Sequence, residues 1–296
     1  MSLMRLSLAA LCLPFVVAGA QSPNPSMLVS TDWLAQHLND PNVVVIHIPH
    51  DANDFAAGHI PGARHLPYAD VRIEHNGIGT ELPPVEQLQQ TFEKLGISDD
   101  SHVVIYAGGH GMAPMASRVF LSLDYLGHPK VSLLNGGIEK WRAEKRPLST
   151  ESTPITPGKL TPKPRTVTVD AEFVNSHTGK KGFAFIDTRT TPEYLGTGGR
   201  SGLPSEGHVA GARQLEWEQL FSDARTGAFL EPAELKKLYT DRIAQGDTVI
   251  TYCLVGYRAS MTYFGARLLG YPVRLYDGSY QEWARLKLPV KKGEQP

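Results

Sequence analysis

The side chain best placed by its neighbours for covalent chemistry is Cys253. It follows the β-branched run Thr248-Val249-Ile250-Thr251-Tyr252, and Leu254-Val255-Gly256-Tyr257 separate it from Arg258. An amphipathic run then extends from Met261 to Leu269, so the pattern predicts a strand, a tight loop and a helix. A sulfur in such a loop faces the unpaired N–H groups and positive dipole end of the helix, and Arg258 adds a permanent cation. Both stabilise a negatively charged sulfur, which is a nucleophile. The competing reading is a structural cysteine packed as a small hydrophobe; a glycine at 256 and an arginine at 258 argue for chemistry instead.

The rest of the composition narrows what that chemistry serves. The chain has 296 residues, enough for two domains, with a hydrophobic fraction of 41% and a charged fraction of 20%, as in globular proteins that fold in water. A formal charge of -1 without Lys/Arg clusters argues against a nucleic-acid partner. Arg5, the apolar run Leu6 to Ala18 and the small residues Ala18-Gly19-Ala20 form the pattern of a secretory signal peptide over residues 1–20. The expected location is therefore outside the cytoplasm, in the periplasm, with no membrane attachment after cleavage. Cys12 lies in the segment to be removed, so Cys253 is expected to be the sole thiol of the mature chain. That leaves no internal disulfide and no cysteine-based metal site, and neither a metal nor another cofactor is expected.

The elements that must hold Cys253 occur twice. Val43-Val44-Val45-Ile46 reads as a buried strand and is matched by Phe183-Ala184-Phe185-Ile186. Gly58-His59-Ile60-Pro61-Gly62-Ala63-Arg64 is matched by Gly207-His208-Val209-Ala210-Gly211-Ala212-Arg213. His102 to Tyr106 is matched by Thr248 to Tyr252, and Asn135 to Trp141 by Asp277 to Trp283. A unit this long is a duplicated domain rather than a solenoid repeat, and strands alternating with helical segments predict an α/β fold with mainly parallel sheets flanked by helices. The expected domains are 25–147 and 168–292. Between them residues 148–167, with Pro154, Pro157, Pro162 and Pro164, read as an extended connector. The histidines of the two Gly-His segments, His59 and His208, are expected to hold turns through hydrogen bonds, and Trp141 and Trp283 to pack the domains.

Two differences between the copies bear on function. Ala107 stands where the second copy has Cys253, which leaves the first copy without a nucleophile. The second copy also carries the insertion 195–206, which includes Arg200, and a loop added to one copy of a scaffold points to a site.

With its two Gly-His segments, the terminal tryptophan segments and the cysteine loop in register, the chain resembles the two-domain sulfurtransferases of the rhodanese and 3-mercaptopyruvate sulfurtransferase group over residues 25 to 290. The resemblance implies two tandem rhodanese-like domains, an inactive first one and a second that forms a persulfide on Cys253, with the site near the domain interface. Leu254, Val255, Gly256, Tyr257 and Arg258 are then expected to bind the donor, and Asp187 and Arg189 to form a buried structural pair. The partners implied are a small sulfur-bearing anion as donor and cyanide or a thiol as acceptor. Thiosulfate is the expected donor; mercaptopyruvate stays open because Arg200 lies where the family places a carboxylate-binding arginine, although a second such arginine is replaced here by Glu193. Two further readings stay open: a non-catalytic persulfide carrier or sensor, and a cysteine-dependent phosphatase or arsenate reductase. Four residues between cysteine and arginine, rather than the five of the phosphatases, suit a sulfur atom better than a phosphate.

Overall fold

The computed structural model describes residues 23–198 and 202–296, so the signal segment and Arg200 lie outside the described residues. In the first half, five parallel strands run in the spatial order 28–29, 131–134, 102–107, 43–48 and 64–65. In the second, 168–169, 273–276, 248–252, 183–187 and 213–214 repeat that order, again with every pair parallel. The central strands are buried on both faces because helices cover both, which is why Val103-Val104-Ile105 and Val249-Ile250 read as continuous apolar runs.

The two halves join face to face along equivalent helices, Ala113–Tyr125 and Ala259–Leu268. Phe120 meets Phe264 edge-on at 4.9 Å between ring centroids. Further along, the Asp124 carboxylate accepts from the Tyr263 hydroxyl at 2.6 Å, from Arg267 Nε at 2.9 Å and from Arg165 Nη1 at 2.6 Å. Nearly every residue of the first helix is buried as a result, and one apolar cluster is continuous across both halves. The connector forms no regular element from Ile155 to Thr166, but it is pinned to the first half: Gly158 N donates to Glu93 O, Lys163 N donates to Leu126 O, and Leu160 is buried.

Each half also extends one small antiparallel hairpin toward the other. The first comprises Ile73–His75 and Ile78–Glu81, turned by Asn76-Gly77 with φ of 51° and 71°; the second comprises Phe221–Asp223 and Ala228–Phe229. An Asn-Gly pair with both residues left-handed is the turn that matches strand twist in a two-residue hairpin. The first hairpin lies on the second half: Leu82 N, just past its end, donates to Asp277 Oδ2 at 2.9 Å. The second answers in kind, with Phe229 N donating to Asn135 Oδ1 at 2.9 Å, and Asn135 is the counterpart of Asp277.

His59 and His208 do hold their turns. Each stacks on a preceding ring, Phe55 or Tyr194, and each uses both ring nitrogens on backbone carbonyls. Trp141 and Trp283 are buried inside their own halves, with indole N–H groups donating to Pro147 O and Pro289 O.

Candidate active site

Cys253 stands at the end of strand Thr248–Tyr252, one turn of loop before helix Ala259–Leu268. The loop is braced from behind by the next helix, Ser279–Arg285: Tyr280 N donates to Cys253 O at 3.0 Å and Gln281 N to Leu254 O at 2.9 Å. Gly256 adopts φ of 100°, a backbone region closed to most side chains, and so turns its N–H inward. That amide donates to Cys253 Sγ at 3.1 Å. An added Cβ at Gly256 would sit 3.1 Å from Asp277 O and 3.5 Å from Arg118 Nη1, so other polar groups crowd the same point.

Two features of the site come from contacts that the amino-acid order does not show. A transfer site requires an approach to its sulfur, yet Cys253 is 0% exposed. The first half contributes to the enclosure of the loop: its hairpin lies against it, with the Thr80 hydroxyl donating to Val255 O. Arg258 is also not a free cation beside the sulfur. Its Nη1 and Nη2 donate to the two carboxylate oxygens of Glu193 at 2.9 and 3.0 Å. Burial works against charge on both groups, but their pairing prevails. It holds Glu193 down to about 2 and Arg258 above its usual value, with the Cys253 sulfur adding to the pull on the arginine. Glu193 accepts as well from Thr190 N and Oγ1, which caps the helix Thr191–Leu195. The residue that replaces a family arginine is thus the partner of the loop arginine.

Asp187 and Arg189 form a fully buried fork, with Nη2 to Oδ2 at 2.6 Å and Nε to Oδ1 at 3.0 Å. Arg189 also donates to Gly207 O at 2.6 Å, and its guanidinium lies 3.8 Å from the Tyr280 ring centroid. The pair ties the strand end to the helix behind the cysteine loop.

Three residues that the sequence did not single out complete the surroundings, all brought by folding rather than by spacing. Arg118, from the first half's interface helix, is 0% exposed; its Nη2 lies 2.6 Å from Asp277 Oδ1 and donates to Thr80 O at 2.6 Å. Tyr68 brings a buried hydroxyl without a hydrogen-bond partner among the described residues. Burial, first, and the nearby charges of Asp277 and Cys253 push that hydroxyl up to about 12, against the pull of Arg118 and Arg72. A comparison of the copies could have flagged the third, Asp277, since Asn135 stands in its place in the first half.

Two duplicated α/β units facing one another, with a cysteine loop in one unit alone, define a two-domain sulfurtransferase. The Rhodanese-like domain model matches residues 30–144 and 170–286, and the chain belongs to that family. It is 34% identical over 288 residues to the sulfur carrier protein TtuD of Thermus thermophilus, covering 92% of this chain and 99% of that one. It is 33% identical over 287 residues to the thiosulfate sulfurtransferase of Corynebacterium glutamicum, covering 92% of each. Among solved structures, SseA of Escherichia coli, described as a 3-mercaptopyruvate sulfotransferase, superposes with a TM-score of 0.74 at 24% identity over 86% of this chain and 98% of that one. The likeness to SseA concerns the fold.

Proposed function

We propose that the protein moves a sulfane sulfur from thiosulfate to a thiophilic acceptor through a persulfide on Cys253. The Cys253 thiolate attacks the outer sulfur of thiosulfate, the S–S bond of the donor breaks, and sulfite leaves with the bonding pair. Cyanide or a thiolate then attacks the outer sulfur of the persulfide, takes it away, and returns the cysteine thiolate. Each step conserves charge and splits one difficult transfer into two. The observation that carries the reading is the Gly256 amide donating to Sγ at 3.1 Å, since a loop that offers N–H groups to the sulfur stabilises the thiolate and the persulfide alike. The thiosulfate sulfurtransferase among the relatives supports the choice of donor.

A second reading, a carrier that hands its sulfur to a partner protein, is favoured by the likeness to TtuD. Intact mass after thiosulfate treatment tests the common step: the wild type gains one sulfur and Cys253→Ser gains none. Equal gain in both, or in neither, removes Cys253 from the reaction. Steady formation of thiocyanate from thiosulfate and cyanide then distinguishes the enzyme from a carrier that discharges only to its partner.

A further inference from the structure

The cations near the sulfur are not equally free. Arg258 spends both terminal nitrogens on Glu193. Arg118 does not: its Nη2 faces Asp277 and Thr80, while Nη1 and Nε have no hydrogen-bond partner among the described residues although both are buried. The orphaned Nη1 lies 3.5 Å from where a Cβ at Gly256 would stand, with Asp277 O at 3.1 Å and Asp277 Oδ1 at 3.2 Å from the same point, and the Gly256 amide is the group that donates to the sulfur. Asp277 is held in place by Leu82 N at its Oδ2, and its Oδ1, 2.6 Å from Nη2, makes no hydrogen bond to Nη1. A buried guanidinium N–H left without an acceptor is costly, and an anion brought to the same place supplies what is missing.

The chain contains its own control. The two interface helices end in the same way, at Leu126-Gly127 and Leu269-Gly270, so Arg118 corresponds to Met261. Met261 lines a small cavity beside Ala107, together with Glu139, Phe221 and Phe229. Around the position without a nucleophile the equivalent residues are thus methionine and asparagine; around the nucleophile they are arginine and aspartate. The ionic pair accompanies the cysteine even though its arginine comes from the other half.

We propose that Arg118 is the donor-binding cation of the site, receiving the oxyanion end of the sulfur donor through its unpaired guanidinium N–H groups, with Asp277 orienting it and the Tyr68 hydroxyl beside it. The half without a cysteine thereby supplies the anion-recognition group for the half that has one. This rests on the thiosulfate reading above.

The test compares Arg118→Met and Arg118→Lys with the wild type on two reagents. Thiosulfate is an anionic donor, and 4,4′-dithiodipyridine is a neutral disulfide that reports only how nucleophilic and how accessible Cys253 is. Arg118→Met should lower kcat/KM for thiosulfate on the order of 10- to 100-fold, mainly through KM, with the rate toward the disulfide kept within about twofold. Arg118→Lys, which keeps the charge and loses the fork, should recover part of the loss and stands as the test should the methionine variant not fold. An unchanged KM in a folded variant, or an equal loss on the neutral disulfide, overturns the proposal and leaves Arg118 a structural residue. If thiosulfate loads no sulfur on the wild type, the donor reading fails separately. The same comparison on mercaptopyruvate, also an anion, then decides the role of Arg118.

Discussion

Replacing Glu193 with glutamine removes the charge that occupies Arg258. The side chain keeps its length and its remaining oxygen can still accept from Thr190 in the capping box, while the other acceptor of Arg258 becomes an amide NH2, so one buried negative charge and one arm of the fork are lost together. Glu193 titrates at about 2 in the folded chain against 4.5 for the free carboxyl. At about 1.4 kcal/mol per pH unit this corresponds to roughly 3 kcal/mol of stability at pH 7. Because both side chains are largely shielded, with 14% and 11% exposed, solvent screening reduces that figure only modestly. A depressed carboxylate stabilises above its unfolded value and ceases to as the pH falls toward its folded one. The deficit of Glu193→Gln should therefore be about 3 kcal/mol at pH 7 and shrink by about 1 kcal/mol by pH 4. Urea unfolding of both proteins across that range measures it. A deficit below about 1 kcal/mol at pH 7, or one that does not shrink in acid, would refute the pairing as the source of the shift. Release of Arg258 should also lower the KM for thiosulfate; a rise would mean that the pair, rather than the free cation, shapes the site.

Two further outcomes can be measured on other parts of the molecule. His47, stacked on Tyr106 at 4.4 Å with neither ring nitrogen hydrogen-bonded among the described residues, is lowered to about 3 by burial, reinforced by His59, His65 and Arg142. The unfolded chain takes up this proton near pH 6.5 and the native chain does not, so this residue should cost about 2 kcal/mol between pH 7 and pH 5, and His47→Phe should flatten that slope in urea unfolding; an unchanged slope would place the acid sensitivity elsewhere. Arg285 donates to Asn76 O at 2.5 Å and to Gly77 O at 3.3 Å, which fastens the tip of the hairpin over the cysteine loop. Arg285→Ala should speed alkylation of Cys253 by iodoacetamide by about fivefold, read by mass spectrometry, and an unaltered rate would show that the sulfur is reached by another route.

The features set by local pattern were legible in the amino-acid order, and those set by contact between the halves were not. The parallel strands declare themselves as apolar runs, and the Gly-His segments repeat with their neighbours intact. The four-residue loop from Cys253 to Arg258 carries its own turn chemistry in Gly256. Glu193 was visible as a departure from the family, but its bond to Arg258 joins residues 65 positions apart, and no spacing rule encodes that. The closure of the sulfur was missed for the same reason. Asn76-Gly77 announces a hairpin, yet nothing local says that the hairpin lies on Val255 and Asp277 of the other half. Arg118 reads as one of two charges, with Asp124, on a largely apolar helix, and its significance appears only when Met261 is set beside it.

The exchange of hairpins has a consequence for how such a protein could be divided. Each half roofs its twin: the residues that close Cys253 are encoded before the connector, and those that close the Ala107 loop are encoded after it. Severing the chain in the proline-rich stretch would strip the cysteine loop of the hairpin and the arginine that the first half lends it, so the half without a reactive centre of its own serves as part of the other's enclosure.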